Sequence, residues 1–285
     1  MAKTYNEIYI ETRKTLKNAG IEAYAQEARL LVAHAAGKTM AEFMRDYSLY
    51  AAPSFAEAVR DMTERRIRGE PVAYITGSWE FFGVPLDITR DVLIPRSDTE
   101  LLAEAAVTLF AGRNARPRIL DLCAGSGCIG VALAVRMPGA RVVLADNDPK
   151  ALSVCRRNVQ KNGLETRVFC VEADAAARPP MLLGKFDLIV CNAPYVPTAE
   201  IETLDASVKD YEPYHALDGG ADGLDVIRPV ISQWKSVLKD RGAIMLEIGE
   251  GQAPAVEALL SKAGFTGIGA LLDPGGTERV VLAHL

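Results

Sequence analysis

Between residues 4 and 69 the apolar positions recur at helical spacing. Over Glu22–Ala36 (EAYAQEARLLVAHAA) they fall on one face of a 3.6-residue period, and the stretch ends at Gly37, a natural residue past a helix end. A second helix is expected from Ser54, read as its N-cap, to Gly69. The pattern changes at Gly69-Glu70-Pro71. The following AYITGSWEFFGVPLDI is rich in aromatic and β-branched residues, is punctuated by Gly77 and Gly83, and predicts a β-hairpin linker. Trp79, Phe81 and Phe82 read there as a hydrophobic seam rather than a binding platform. From about Arg116, short apolar strands alternate with helices. RILDL precedes a helix from Ser126 to the Pro138-Gly139 stop. RVVLAD precedes a helix with Asp148 as N-cap, Pro149 at its first position and Gly163 as its stop. RVFCVEAD and FDLIVCN are two more strands, then come a helix from about Asp222 to Lys239, the strand AIMLEIG and a helix over 253–263. The end breaks the alternation: TGIGALLD and ERVVLAHL face each other across Pro-Gly-Gly with no helix between. These elements predict an α/β fold, a parallel sheet covered by helices on both faces, closed by an antiparallel hairpin at or near one edge.

Composition narrows the class. The chain has 285 residues, 49% of them hydrophobic and 24% charged, enough for a sizeable core without disulfide staples. The formal net charge is -5 and the first 70 residues are close to neutral, which argues against a general nucleic-acid binder. Arg60, Arg65, Arg66 and Arg68 form a local basic cluster, read as a solvated helix face with Asp61 and Glu64 interspersed. Cys123, Cys128, Cys155, Cys170 and Cys191 form no C-x-x-C pair and read as reduced, mostly buried thiols. His34, His215 and His284 have no ligand spacing and are taken as structural or surface residues, so no metal is expected. The N-terminus lacks the apolar core of a signal peptide and no run approaches the ~20 apolar residues of a membrane span, so a soluble, cytoplasmic protein is expected.

Asp121-Leu-Cys123-Ala124-Gly125-Ser126-Gly127-Cys-Ile-Gly130 joins the first strand to its helix, and Asp146 ends the next strand, where a carboxylate can hold both hydroxyls of a ribose. The glycines match G-x-G-x-x-G, so a nicotinamide-dinucleotide enzyme and an S-adenosylmethionine (SAM) methyltransferase compete. Asp121 would repel a pyrophosphate and suits a ligand bearing an ammonium and a sulfonium, which favours the methyltransferase. Asp174, ending the third strand, reads equally as an acceptor for an adenine amino group or as a solvated strand end.

Asn192-Ala193-Pro194-Tyr195 follows FDLIVC at a strand's carboxyl end, the edge where open α/β sheets bind ligands. An amide or aromatic amino nitrogen has a delocalised lone pair. Two acceptors for its two N–H bonds, the Asn192 side-chain oxygen and the Ala193 carbonyl, favour the pyramidal nitrogen of the transition state. Pro194 stiffens the turn, and Tyr195 can pack on the planar group. No strong base is needed, because the methylated nitrogen is itself acidic.

These residues resemble the protein-glutamine N5-methyltransferases that act on peptide chain release factors, the HemK/PrmC family. The resemblance spans nearly the whole chain and is carried by GEPVAYITGSWEFFGVPL, VLIPRSDTELL, DLCAGSG, the NAPY turn, YEPYHALDGGADGLDVIR and GGTERVV. It implies a seven-stranded, Rossmann-like SAM-dependent methyltransferase sheet. It also implies a small helical substrate-docking domain over 1–70, a hairpin linker over 71–95 and a catalytic domain over 96–285. It further implies SAM held by Asp121, the loop Cys123–Gly127, Asp146, Asp174, Ala175 and Asn192, with S-adenosylhomocysteine as product. Asn192 to Tyr195 would hold the glutamine of a Gly-Gly-Gln motif in class-1 release factors. A monomer without membrane or direct nucleic-acid partners is expected. Two positions depart from the family pattern. Ala193 stands where Asn-Pro-Pro-Tyr has proline, and Ser97 where Ile-Pro-Arg-Pro has its second proline. Ala193 keeps the carbonyl, so a looser turn is expected rather than an inactive site. Alternatives are a ribosomal-protein glutamine methyltransferase, a DNA adenine-N6 methyltransferase, and a SAM-binding module without catalysis.

Overall fold

The computed structural model describes residues 3–111 and 116–285, and its chain divides into two compact units. The first runs to Ser78 and includes Ala206–Tyr211. It is helical: α1 (Tyr5–Asn18), α2 (Tyr24–Ala35), α3 (Met40–Arg45), α4 (Pro53–Ile67) and α5 (Val72–Thr76). Capping boxes start two of them. Thr4 with Glu7, and Thr39 with Glu42, exchange side-chain and backbone hydrogen bonds that satisfy the free N–H groups of the first turn. The helix expected from Ser54 starts one residue earlier, at Pro53, with Ala52 as N-cap, because proline's fixed φ suits the first helical position. Leu16, Leu31, Val32 and Phe43 are fully buried in the unit's core. Around Phe43, Tyr5, Tyr9 and Tyr47 meet it edge to face or nearly so, with centroids 5.4–6.4 Å away. The arginine cluster is not simply solvated. Arg65 makes a two-pronged ion pair with Glu70 at 2.8 Å, and Arg66 pairs with Glu27 at 2.7 Å.

The second unit begins at Trp79. A two-stranded hairpin, β1 (Ser78–Phe81) and β2 (Val84–Asp87), leads into it. Of the stretch read as linker, residues 72–76 are helical, and the hairpin strands from Trp79 cluster with the sheet unit. Phe81 is buried, and the Trp79 indole N–H donates to the Pro95 carbonyl at 3.1 Å. Next come α6 (Thr99–Leu109), β3 (Arg118–Leu122), α7 (Cys128–Arg136), β4 (Arg141–Asp146), α8 (Pro149–Lys161), β5 (Val168–Glu172) and β6 (Phe186–Cys191). After α9 (Ala206–Lys209), which clusters with the helical unit, follow α10 (Ile227–Gln233), β7 (Leu238–Glu247), α11 (Ala253–Lys262), β8 (Thr266–Leu272) and β9 (Glu278–His284). Asp148 caps α8 by accepting from Lys150 N–H, as its sequence predicts.

The seven strands lie in the order β5-β4-β3-β6-β7-β9-β8. β3 to β7 are parallel to one another, and β9 is antiparallel to both β7 and β8. The expected closing hairpin is present, with β8 as the edge. The helix expected over 222–239 is shorter: α10 spans Ile227–Gln233, a 3₁₀ turn follows, and Leu238 already belongs to β7. The cause is tertiary. Trp234 is fully buried with its indole N–H on the Ala175 carbonyl at 3.0 Å, and the chain must tighten there to bring Leu238 into register with Phe186. The strand order reverses at β3, with β4 and β5 on one side and β6 and β7 on the other. Register aligns Leu122 with Ala145 and with Cys191, and Asp146 with Glu172. The loops after β3, β4, β5 and β6 therefore leave one sheet edge together, at the switch point where such folds bind ligands.

Candidate active site

The glycine loop is shaped by backbone constraint. Cys123, Gly125 and Gly127 all have positive φ, at 56°, 56° and 78°. Such a conformation costs a non-glycine residue of order 1 kcal/mol, so Cys123 must be held there by its surroundings. Ala124 N–H on the Ala145 carbonyl at 3.1 Å and Asn158 Nδ2 on the Ser126 carbonyl at 2.8 Å supply such ties. Gly130 is needed for a different reason. A Cβ there would lie 2.2 Å from Leu144 Cδ2, so α7 approaches β4 closely only without a side chain.

A cleft opens over this edge. Of the residues expected to hold the cofactor, Cys123, Ala124, Gly125 and Ser126 line it, and so do Asp146, Asp174, Ala175 and Asn192. Asp121 and Gly127 do not line it. Asp121 is fully buried behind the loop, where Oδ2 accepts from Gly130 N–H at 2.8 Å. Its Oδ1 has no hydrogen-bond partner among the described residues. Burial pushes its pKa up to about 7, against the pull of that one hydrogen bond. Asp146 braces the loop: Oδ2 accepts from Gly125 N–H at 2.8 Å and Oδ1 from Asp148 N–H at 2.9 Å. Burial raises its pKa as well. Asp174 is exposed at the rim and uses one oxygen to accept from Ala176 N–H.

Beside the cofactor loop lies the Asn192–Tyr195 turn. Asn192 and Pro194 line the cleft, whereas Ala193 is buried and Tyr195 sits behind. Asn192 Nδ2 donates to Thr99 Oγ1 at 3.2 Å, which leaves the Asn192 amide oxygen as its available acceptor. The turn is braced from outside. Gln252 Nε2 donates to the Tyr195 carbonyl at 2.9 Å, and Val196 N–H to the Leu217 carbonyl at 3.0 Å. Gly223 packs so closely that a Cβ would meet the Tyr195 carbonyl oxygen at 2.2 Å. Tyr195 donates to Glu247 Oε1 at 3.3 Å. Burial and the Glu247 charge raise the Tyr195 pKa well above the ordinary phenol value, so the hydroxyl stays protonated.

Sequence reasoning missed several cleft residues. Asp91, Val92, Leu93, Pro95 and Thr99, from the segment entering α6, form one wall. His215, taken as structural or surface, lies on the rim 3.6 Å from Asp148 Oδ2. The loop carrying it is fastened by Glu212, which pairs with Arg96 and accepts from Ile94 N–H at 3.1 Å. A detectable signal existed for the first wall: Asp98-Thr99-Glu100 ahead of an apolar stretch is a helix start. For His215 there was none, since only tertiary structure brings it to the sheet edge.

The PrmC N-terminal domain matches residues 7–77 and the methyltransferase small domain matches residues 97–208. A release factor glutamine methyltransferase from Geobacter sulfurreducens is 37% identical over 270 residues, 95% of this chain and 93% of the relative. One from Caulobacter vibrioides is 37% identical over 285 residues, 99% of this chain and 96% of the relative. Among solved structures, a methyltransferase from Pyrococcus furiosus superposes with a TM-score of 0.54 at 14% identity. It covers 79% of this chain and 98% of that one, and so shares the fold. Sheet order, glycine loop, Asn-Ala-Pro-Tyr turn and full-length similarity converge: the chain belongs to the family of release factor glutamine methyltransferases.

Proposed function

We propose that this enzyme transfers the methyl group of SAM to the side-chain amide nitrogen (N5) of the glutamine in the Gly-Gly-Gln motif of class-1 peptide chain release factors. The observation that carries this reading is the Asn192 amide. One N–H of its NH2 donates to Thr99 Oγ1 at 3.2 Å, and its oxygen is left to accept from a nitrogen that carries protons.

The lining of the cleft supports SAM as the cofactor: Asp146, at the end of β4, would hold the ribose hydroxyls, and Ala175 with Asp174 the adenine edge. Asp121, fully buried behind the loop with its pKa raised to about 7 and no partner for Oδ1 among the described residues, would be favoured in its charged form by a cationic ligand. SAM supplies an electrophilic methyl on a sulfonium. The chain's own residues do the rest. Asn192 Oδ1 and the Ala193 carbonyl accept from the two N–H groups of the substrate amide and favour the pyramidal nitrogen over the planar one. Pro194 fixes the turn, and Tyr195, kept neutral and bonded to Glu247, supports the turn from behind. Because the methylated nitrogen is acidic, no residue need act as a strong base.

The helical unit is proposed to dock the release factor. Its arginines Arg65 and Arg66 are spent on internal ion pairs, which weakens the case for a nucleic-acid surface there. Among the described residues no helix is long and apolar enough to cross a membrane. The test is label transfer from methyl-tritiated SAM to a purified class-1 release factor. Label is expected on the native factor and absent when the Gly-Gly-Gln glutamine is replaced by alanine. Equal labelling of both would refute the assigned acceptor.

A further inference from the structure

Two parts of the cleft lining come from segments far apart in sequence, and one side chain ties them together. Leu93 and Pro95 belong to the first, His215 and Ala216 to the second. Glu212 leads into the second segment. Its side chain is 1% exposed, and both carboxylate oxygens are engaged with the first. Oε2 accepts from Ile94 N–H, between Leu93 and Pro95, at 3.1 Å. Oε1 accepts from Arg96 Nη2, on the far side of Pro95, at 2.5 Å. A buried carboxylate held by a backbone N–H and a guanidinium is a charge-assisted tie, stronger than a bond between neutral groups.

The chain after Glu212 is stiff enough to pass that tie on. Pro213 has its φ fixed at -61°, and a 3₁₀ turn over Tyr214–Ala216 follows. Ala216 N–H donates to the Pro213 carbonyl at 2.9 Å and Leu217 N–H to the Tyr214 carbonyl at 3.0 Å, so the turn closes on itself. Its far end is fastened too. Val196 N–H donates to the Leu217 carbonyl at 3.0 Å, and Gly219 N–H to the Val196 carbonyl at 2.9 Å, directly after the Asn192–Tyr195 turn. Along the rim, His215 Nε2 lies 3.6 Å from Asp148 Oδ2, and Asp148 N–H donates to Asp146, the proposed ribose ligand. Residues 213–217 therefore form a short strap on the rim of the cleft. The segment before them, Ala206–Tyr211, groups with the helical unit, and Glu212 returns the chain to the sheet unit. Its two bonds set the strap's upstream end within that unit.

We propose that Glu212 is a positioning residue for the cofactor: it holds the strap against the 93–96 wall and so slows the exchange of SAM and S-adenosylhomocysteine. Glu212 does not line the cleft, and acts through the lining residues on either side of its tie. This inference rests on SAM as the cofactor, as proposed above. A loosened strap lets either ligand leave faster. It leaves the Asn192 amide and its Thr99 partner in place, so the loss should fall on KM for SAM and not on kcat.

The experiment chases bound tritiated S-adenosylhomocysteine with unlabelled ligand, and measures kcat and KM for SAM in release-factor methylation. Glu212→Gln keeps an acceptor for Ile94 N–H and loses the charge that Arg96 meets. Arg96→Met breaks the same pair from its partly exposed side. Each should speed dissociation and raise KM for SAM about 10-fold, the effect of losing one charge-assisted bond. At saturating SAM, kcat should stay within about twofold. The double variant should be little worse than either single one, because all three break one bond. If Glu212→Gln does not fold, Arg96→Met decides alone. Unchanged dissociation, additive effects in the double variant, or a loss confined to kcat overturns the inference, while wild-type binding of S-adenosylhomocysteine still upholds the cofactor. A wild type that binds no S-adenosylhomocysteine contradicts the SAM reading itself.

Discussion

The hydrogen-bonded or ion-paired acids at the surface of the helical unit and the acids withdrawn from water at the sheet edge are shifted in opposite directions. Acids nearer the surface of the sheet unit, such as Asp218, Asp222 and Asp273, are lowered like those of the helical unit. In the helical unit Glu7, Glu42 and Asp46 all have lowered pKa values, the first two through capping-box hydrogen bonds and Asp46 through its Arg45 and Lys38 partners. In the sheet unit the buried acids Asp121, Asp146, Glu212 and Glu247 are all raised, with burial as the largest cause. The first pattern belongs to acids placed where folding rewards their charge. The second belongs to acids placed where folding penalises it. Asp121, Asp146 and Glu247 all lie at the carboxyl ends of strands, round the proposed site. There the unpartnered oxygens Asp121 Oδ1 and Glu247 Oε2 and the strained Cys123 also gather. By contrast, the buried Thr63 and Glu70 of the helical unit are bonded, to the Val59 carbonyl and to Arg65. Local cost concentrates round the proposed site.

The sharpest way to break this contrast is Asn192→Ala. It removes an acceptor used in the transition state, so kcat should fall about 100- to 1,000-fold while S-adenosylhomocysteine still binds. Unchanged turnover would strip the sheet edge of its assigned chemistry. Next in size is Asp146→Ala. Losing a carboxylate that holds both Gly125 N–H and the proposed ribose should weaken SAM binding about 10- to 100-fold by calorimetry, and an equal dissociation constant would contradict the ribose role.

Stability against pH sharpens the contrast further. A carboxyl whose folded pKa lies above its unfolded value binds more protons when folded, so its stabilisation is present below the unfolded pKa and is lost as pH rises through the folded one. For Asp121 that window runs from its ordinary 3.8 to about 7. Asp121→Asn should therefore raise Tm at pH 8, by the equivalent of about 1–3 kcal/mol, with the gain shrinking toward pH 4. A gain that persists undiminished at pH 4 would show another cause. The lowered acids Glu7, Glu42 and Asp46 act the other way, losing stabilisation only in acid. The smallest effect should come from Arg66→Ala. Breaking the part-buried pair with Glu27 should cost the helical unit about 1 kcal/mol in thermal unfolding and leave SAM affinity unchanged.

Much of the sheet was legible because each strand is a short apolar run followed by a helix with its own start and stop residues. The Asp148 cap, the Gly163 stop and the closing hairpin are local signals, and they sit where the pattern puts them. The helix read over 222–239 failed because its periodicity continues past Gln233, while the burial of Trp234 and the register of Leu238 are decided by distant residues. The site divides the same way. The glycine loop and the Asn192 turn are contiguous motifs and could be found. The wall from Asp91 to Thr99 and the rim at His215 are brought to the cleft from distant segments. Asp121 was legible as a residue but not in its placement: it lies behind the loop, on Gly130 N–H, and not in the cleft.

The most direct test of the central claim is peptide mass spectrometry of a purified class-1 release factor after incubation with this enzyme and SAM. One added methyl is expected, localised to the side-chain amide of the Gly-Gly-Gln glutamine and missing when Asn192→Ala replaces the wild type. A methyl on any other residue, or none while SAM binding is intact, would contradict it.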